Sequence, residues 1–236
     1  MEAKNPMSST QLRFDLINPH AVAYARTHLS EYLGPLKERG REIIQREVTR
    51  AMSGQQTAQQ VARLIRDNAL ALTPEQVLAS DVYWKDLIKK GLDSTTINRR
   101  MAKFNARQLQ DRAETIAHTE IHRAAAGGQL VAWQEAQRQG LIEPETMVKV
   151  WSLTWDDRLC AACEAMDGVA VRLDEPFVRN RDGEPVANSF GEQMDFPDMH
   201  PNCRCNMNLM RKDQVAEYRD RVISLRPAVK PQSHRS

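Results

Sequence analysis

The chain has 236 residues, of which 41% are hydrophobic, 27% are charged and 6% are aromatic. This length is enough for one or two domains with a real core, and the composition favours a soluble, helix-rich protein over a sandwich of aromatic-rich strands. A net charge of +2 is too small to identify a nucleic-acid-binding protein by itself. The N-terminus contains no apolar segment of signal-peptide length, and no later segment approaches a membrane span. We therefore expect a cytosolic protein with reduced thiols and no membrane contact.

Helical signals dominate the N-terminal half. After a polar leader, residues 1–18, apolar side chains recur at helical spacing in three segments between residues 19 and 65. The helix that follows has the clearest boundaries, because Thr73 and Gln76 form a capping box and Gly91 supplies a stop.

A long helix is predicted next, beginning at Ser94 and ending at Gly140. The pair Gly127-Gly128 is expected to weaken or kink this helix, because glycine is a poor helix former. Together these helices predict a helical domain over residues 19–140.

The character of the sequence changes near residue 146. Residues 147–155, MVKVWSLTW, alternate in polarity and predict a strand, and residues 168–173, GVAVRL, predict a second one. Residues 174–201 contain several proline turns and are predicted to be mostly loop. The predicted fold class is therefore α+β: a predominantly helical N-terminal half, a small, loop-rich, β-containing lobe over residues 141–210, and a basic flexible tail over residues 211–236.

All four cysteines lie in two short segments, RLCAACEAM and MHPNCRCNM. Cys160 and Cys163 form a C-x2-C pair, and thirty-six residues later come His200, Cys203 and Cys205. C-x2-C places two thiolates on one turn, and H-x2-C supplies ligands from the other side of a tetrahedral ion. Such a site would link the two ends of the long loop. The spacing predicts one structural zinc ion bound by Cys160, Cys163, His200 and either Cys203 or Cys205.

Two alternatives to structural zinc remain open for the cysteines. The thiols could form a disulfide or stay free, or the C-x2-C pair could be a redox motif. A redox pair belongs at a helix start inside a βαβ pattern, which this sequence does not predict. A catalytic zinc ion keeps one position open for water, and five candidate ligands argue against that arrangement.

Two weaker patterns suggest enzymes. His118 and His122 lie four residues apart on one helix, as in a zinc hydrolase, but Glu120 lies midway and points about 200° away from His118. The ordinary interpretation is a solvated helix face. A nuclease would instead use the carboxylates around the first cysteine pair, which are also typical turn and capping residues: Asp156, Asp157 and Glu164.

A basic helix face is the candidate DNA contact. Seven basic and two acidic residues lie between Lys85 and Arg107, and such a surface can neutralise phosphates without reading sequence. The alternative is an ordinary solvated surface. We call this surface the basic face, and it consists of Arg99, Arg100, Lys103 and Arg107.

Four segments in a fixed order resemble a known family, the minor head or head-morphogenesis proteins of tailed phages, typified by the Mu F-like proteins. They are RAETIAHTEIHRAAAGGQLVAW (112–133), VWSLTWDDRLCAACEAMDGVAV (150–171), LDEPF (173–177) and HPNCRC (200–205). His118 is a departure, because the family usually has arginine at that position. The part before residue 112 agrees with the family in layout only.

The resemblance implies a virion protein present in few copies, located in the head interior or at the portal and in the host cytoplasm during assembly. It implies action with the portal and the other head and scaffold proteins in head assembly, and a role in DNA packaging or delivery. Because the chain ends soon after the HPNCRC signature, we expect no appended enzymatic activity. From the apolar faces of its helices we expect residues 19–140 to bind the portal or another head protein. The alternative is a self-contained helical bundle with no spare apolar face. The alternatives are a zinc-stapled DNA-binding module and a metal-dependent hydrolase or nuclease.

Overall fold

The computed structural model describes residues 18–28, 36, 38–156 and 158–225. Nearly all of the predicted polar leader lies outside the described residues. The described residues form two compact units, a helical unit that ends at Ala124 and a C-terminal unit that begins at Ala125. The division falls inside one long helix and not at residue 140, the boundary that the sequence analysis predicts.

The helical unit contains the helices that the apolar spacing predicts. Both α3 and α4 begin with a capping box, Thr57 with Gln60 and Thr73 with Gln76. In each box the threonine hydroxyl accepts from the glutamine N–H and the glutamine side chain accepts from the threonine N–H, so two donors at the helix start are satisfied. The elements are α1 (Pro19–Thr27), α2 (Glu38–Met52), α3 (Ala58–Asn68), α4 (Pro74–Lys89) and the first part of α5 (Ser94–Arg138).

One apolar core joins α1, α2, α3 and α5. Its members are alanines and branched aliphatic side chains, which allow helices to approach closely and interdigitate. They are Ala25, Ile44, Val48, Val61, Ala62, Ile65, Ala113, Ile116, Ala117 and Ala124. No described helix in either unit is both long and apolar enough to cross a membrane.

The long helix α5 departs from the prediction at Gly127-Gly128. Helical hydrogen bonding continues through both glycines from Ser94 to Arg138. Each glycine costs about 1 kcal/mol relative to alanine in a helix interior. Both are buried, so tertiary packing stabilises a segment that local propensity disfavours.

The C-terminal unit is built on a three-stranded antiparallel sheet, which confirms the α+β class. Its strands are β1 (Met147–Ser152), β2 (Ala170–Val171) and β3 (Asn206–Arg211), in the order β2-β1-β3. The central strand β1 pairs with β3 over its full length, from Met147 opposite Arg211 to Ser152 opposite Asn206. Residues 174–201 contain no helix or named strand, as predicted. The sequence analysis did not predict β3.

The predicted flexible tail from residue 211 is corrected by the structure. Arg211 ends β3, a 3-10 turn follows at Lys212–Gln214, and a helix, α7, occupies Val215–Leu225. Val215 is buried and packs in a small cluster with Val148 and Val150 of β1. The polar composition of residues 211–225 hid this helix, whose first turns contact the sheet. Residues 226–236 lie outside the described residues.

Candidate metal centre

The first cysteine pair is placed by a single helical turn, α6 (Ala161–Glu164). Cys160 is the N-cap of this turn, and its sulfur accepts a hydrogen bond from the N–H of Cys163 at 3.3 Å. A cap residue and the third residue of the turn lie close together at the helix start. The C-x2-C spacing therefore brings both sulfur atoms to the same side of one turn.

A second turn presents His200 and Cys203. The N–H of Cys203 donates to the carbonyl of His200 at 3.0 Å, and Asn202 between them has a φ of 60°, a conformation that asparagine tolerates better than most residues. Nδ1 of His200 lies 2.8 Å from the carbonyl oxygen of Pro201. Because a carbonyl only accepts, Nδ1 carries the proton and Nε2 keeps its lone pair for a ligand.

The two turns bring all five candidate residues together. Nε2 of His200 lies 3.3 Å from the sulfur of Cys160 and 3.3 Å from that of Cys163. The sulfur atoms of Cys163 and Cys203 are 3.9 Å apart. The ligand atoms form two overlapping groups that share Cys163, one with Cys160 and His200 and one with Cys203 and Cys205, each spanning at most 4.8 Å.

The separations within each group of three are compatible with ligands of one metal ion, although no four of the five described ligand atoms all lie within 4.8 Å of one another. Zn–S bonds of about 2.3 Å and Zn–N bonds of about 2.0 Å place neighbouring sulfurs about 3.8 Å apart and a sulfur and a nitrogen about 3.6 Å apart. All four cysteines are free, and a Cys163–Cys203 separation of 3.9 Å is far above the S–S bond length of about 2.05 Å. The disulfide alternative is therefore not the state that the structure shows.

The buried thiols hold their protons unequally. Hydrogen bonds from Cys163 and Cys205 hold the pKa of Cys203 far below the usual thiol range. The hydrogen bond to Cys203 raises the pKa of Cys163. One thiolate is thus accommodated among the three sulfurs, and further deprotonation requires a compensating positive charge. A divalent cation bound by these sulfurs would supply such a charge.

The second core of the protein surrounds the cluster. Phe177 contacts the ring of Trp151 edge-on, with centroids 5.2 Å apart, and the N–H of Phe177 donates to the carbonyl of Met194 at 2.7 Å. The long loop is therefore folded back on β1. Three of the four cysteines share this core with aromatic and methionine side chains: Trp151, Cys163, Met166, Val169, Phe177, Met194, Met199, Cys203 and Cys205.

Polar contacts link the two halves of the cluster outside the core. Asp156, which precedes the first cysteine pair, forms an ion pair with the Arg204 guanidinium, with one contact at 2.8 Å. Thr154 donates its hydroxyl to the carbonyl of Arg204 at 2.7 Å. Arg204 lies between Cys203 and Cys205, so these bonds hold the HPNCRC segment against the strand that leads to Cys160.

Lys149 is a buried charge that the sequence analysis did not single out. It is 1% exposed in the middle of β1, and its Nζ donates to the carbonyls of Asp195 at 2.7 Å and Leu173 at 3.4 Å. Burial lowers its pKa to about 8. Lys149 therefore holds both ends of the loop at the sheet. The sequence did offer one indication that Lys149 is buried. Residues two apart in a strand face the same side, so Lys149 lies on the same side of β1 as Trp151.

The enzyme alternatives receive no geometric support. His118 is exposed and His122 half-buried. Among the described residues, neither histidine belongs to a group of three or more metal-ligating side chains. Asp156 pairs with Arg204 and caps the N–H of Arg158 at 2.9 Å, which is a turn role. Asp157 lies outside the described residues.

All four side chains of the basic face are exposed on α5. Arg107 lies 3.8 Å from Asp111 in a solvent-exposed pair, which is too weak to neutralise it. The basic face is therefore accessible to solvent. A DNA contact requires this exposure, but an ordinary solvated surface shows it too, so exposure does not distinguish the two interpretations.

The described part of the chain combines a helical unit with a small sheet-and-loop lobe that contains a Cys/His cluster. One family model, described as phage Mu protein F like protein, matches residues 42–208. The match covers well over half of the chain, and the chain belongs to the phage Mu protein F-like family. Membership indicates a phage head morphogenesis protein associated with the virion, in a family that is structural and typically non-enzymatic. No curated protein and no solved structure matches the chain.

Proposed function

We propose that this protein is a non-catalytic minor head protein that acts with the portal in head assembly and in DNA packaging or delivery. The family match over residues 42–208 carries the proposal. The geometry supports it, because the most distinctive side chains are engaged in holding the C-terminal lobe together. On this proposal the protein acts in the head interior or at the portal.

The lobe is held by one structural zinc ion bound by Cys160, Cys163, His200 and Cys203. Cys203 shares one turn with His200, and its sulfur lies 3.9 Å from that of Cys163, close to the edge of a zinc–sulfur tetrahedron, so we take Cys203 as the fourth ligand. Cys205 remains beside it as a buried thiol. Structural zinc contributes on the order of 10 kcal/mol to folding in small zinc modules at neutral pH.

Elemental analysis of protein purified without added metal tests the zinc site. We expect one zinc per chain, and loss of that zinc in His200→Ala. His118→Ala is the matched control, since it removes an exposed histidine outside the cluster, and it should retain full occupancy. Cys203→Ser should reduce affinity more than Cys205→Ser. A fully folded, metal-free wild type with oxidised cysteines would refute the site.

Portal binding is assigned to the helical part of the chain, residues 19–140. Its helix α4 presents apolar side chains outside the core of the helical unit, such as Leu78 and Val82, and more of the exposed large hydrophobic side chains among the described residues lie on α4 than in the C-terminal unit. Full-length protein would be co-expressed with the portal protein of the same phage, captured through the portal, and cross-linked. We expect cross-links from residues 38–140. Cross-links confined to residues 147–225 would contradict the assignment.

Non-specific DNA binding is a second function, favoured by the exposure of the whole basic face. Replacing its four residues with alanine should weaken binding equally for all sequences. The slope of log affinity against log salt should fall by about 0.9 for each phosphate that is no longer neutralised. The matched control removes four other exposed positive charges: Arg26, Arg39, Arg63 and Lys212. Equal affinity and slope in the two variants would show that the basic face is only solvated.

A further inference from the structure

Exposed apolar side chains are concentrated on one helix of the helical unit. Among the described residues eight large hydrophobic side chains are exposed, and five of them lie on α4. We call these five the apolar face of α4. They are Val77, Leu78, Val82, Trp84 and Ile88, with exposed fractions between 44% and 67%.

The five side chains lie on one side of α4, opposite the side that packs inward. At about 100° per residue, Val77, Trp84 and Ile88 form one stripe, and Leu78 and Val82 form a parallel one. The opposite side of α4 contacts α5 through the Tyr83–Phe104 ring pair, with centroids 4.5 Å apart. The apolar face therefore points away from the rest of the helical unit.

An ion pair separates the two stripes. Nζ of Lys85 lies 2.5 Å from a carboxylate oxygen of Asp81, and both side chains are exposed. A two-fold axis at the level of residue 83 would bring a second copy of α4 alongside in the antiparallel direction. Asp81 of each copy then faces Lys85 of the other. A parallel arrangement would instead place Asp81 opposite Asp81 and Lys85 opposite Lys85.

The same axis pairs the apolar stripes with themselves. Val77 of one copy lies opposite Ile88 of the second, with Trp84 and its counterpart between them, and Val82 lies beside its own counterpart. In coiled coils complementary charges beside an apolar seam fix direction and partner, and here the charges lie between two apolar stripes, where opposite charges select the antiparallel direction in the same way. We propose that the apolar face of α4 binds a second copy of this chain, as an antiparallel, two-fold helix pair. This inference does not rest on the zinc proposal, and it assigns to a second copy the same face that the portal proposal uses, so the two partners would compete for it.

The size of the face sets the expected affinity. The exposed fractions correspond to roughly 500 Å² per copy, taking about 150–250 Å² for each fully exposed large side chain. This area is at the upper end of the patches that monomers expose and below the roughly 800 Å² per partner of a standard interface. We therefore expect a reversible dimer with a dissociation constant in the micromolar range.

Sedimentation velocity of the full-length protein, from about 1 µM to about 1 mM, measures the dimer. Asp81→Lys places lysine opposite Lys85, and Lys85→Asp places aspartate opposite Asp81, so each variant alone should dimerise at least about tenfold more weakly. An equimolar mixture of the two variants restores opposite charges at both contacts and should form a heterodimer. Each variant loses the same pair within its own helix, so recovery on mixing reports a contact between copies.

Asp86→Lys is the matched control, because it breaks the neighbouring Asp86–Lys90 pair of the same helix outside the apolar face. It should leave the dissociation constant unchanged. Circular dichroism confirms that each variant is folded. A wild type that stays monomeric throughout the range, a dimer indifferent to both charge reversals, or variants that fail to pair on mixing would each overturn the proposal. A monomer that uses the apolar face only to bind the portal would overturn it as well.

Discussion

At the scale of single residues, Lys149 has a protonation state that depends on the fold. Its ammonium group is buried in β1 and hydrogen-bonded to the carbonyls of Asp195 and Leu173. Its Nζ also lies 5.3 Å from the centre of the Phe177 ring. Burial is the largest cause of its lowered pKa, and the carboxylates of Asp195, Asp174 and Glu175 oppose it only in part. Folding therefore makes Lys149 lose its proton more easily than it does in the unfolded chain.

This lysine makes stability depend on alkaline pH. Its pKa is about 8 in the folded protein against an ordinary value of 10.5. Below about pH 8 it is charged in both states and the burial cost is fully present. Between pH 8 and 10.5 the unfolded chain binds more protons, so its contribution to the free energy of unfolding rises with pH.

We expect the difference in unfolding free energy between wild type and Lys149→Met to change by up to about 3 kcal/mol across that window, at about 1.4 kcal/mol per pH unit. Urea unfolding of both proteins at pH 7.5 and about pH 10 measures it. A difference that does not vary with pH would show that Lys149 is neutral or well solvated throughout.

Gly168 is a second residue whose identity the fold requires. Its φ is 71°, and a Cβ at this position would lie 2.8 Å from Cγ of Arg219. The guanidinium of Arg219 donates to the Gly168 carbonyl at 2.8 Å, so the arginine cannot move aside without losing that bond. Glycine thus permits the close approach of α7 to the lobe.

Gly168→Ala should lower the free energy of unfolding by about 2–3 kcal/mol, from backbone strain and steric overlap together. Gly183→Ala is the matched control, because Gly183 has a φ of 84° and open space around its Cβ position. It should show the strain alone, about 1 kcal/mol. Equal destabilisation in the two variants would mean that the Arg219 contact adds nothing.

At the scale of elements, α7 is part of the C-terminal unit. Val215 packs on Val148 and Val150 of β1, and the hydroxyl of Tyr218 donates to that of Ser152 at 3.0 Å. With the Arg219 bond, these contacts cover one side of the central strand. Helix-on-sheet packing is what allows a small three-stranded sheet to be stable.

Removal of residues 212–236 should therefore lower the melting temperature of the C-terminal unit by several degrees, since a loss of about 1 kcal/mol lowers it by about 4–8 °C in a domain of this size. Removal of residues 226–236 alone, which keeps α7, is the control and should leave the melting temperature unchanged. Thermal unfolding followed by Trp151 fluorescence measures both. If both truncated proteins had the same melting temperature, α7 would contribute nothing to stability, as expected of a flexible tail.

At the scale of the whole molecule, the two units have separate apolar cores, and only one of them contains the Cys/His cluster. If zinc holds the cluster, metal removal should unfold the C-terminal lobe and leave the helical unit largely folded. Cys160→Ser should have the same effect.

Hydrogen exchange with and without a chelator tests this expectation. Protection should collapse in β1 and β3 and persist in α2 and α3. His118→Ala protein serves as the control and should respond to the chelator as wild type does. Equal loss of protection in both units would show that they unfold together, and no loss in either would show that the cluster needs no metal.

The sequence by itself determined the features that depend on local spacing. The capping box at Thr73, the strand β1 and the turn that pairs Cys160 with Cys163 follow from residues a few positions apart, because a cap, a pleat and a C-x2-C turn are short-range geometries. That this turn meets His200 and Cys203 was predicted from the ligand number of a tetrahedral ion and not from spacing along the chain. Tertiary structure alone decided the continuity of α5 through Gly127-Gly128, the pairing of β3, the docking of α7 and the burial of Lys149. Each of these depends on partners far away in the chain, whose packing outweighs weak or contrary local preferences.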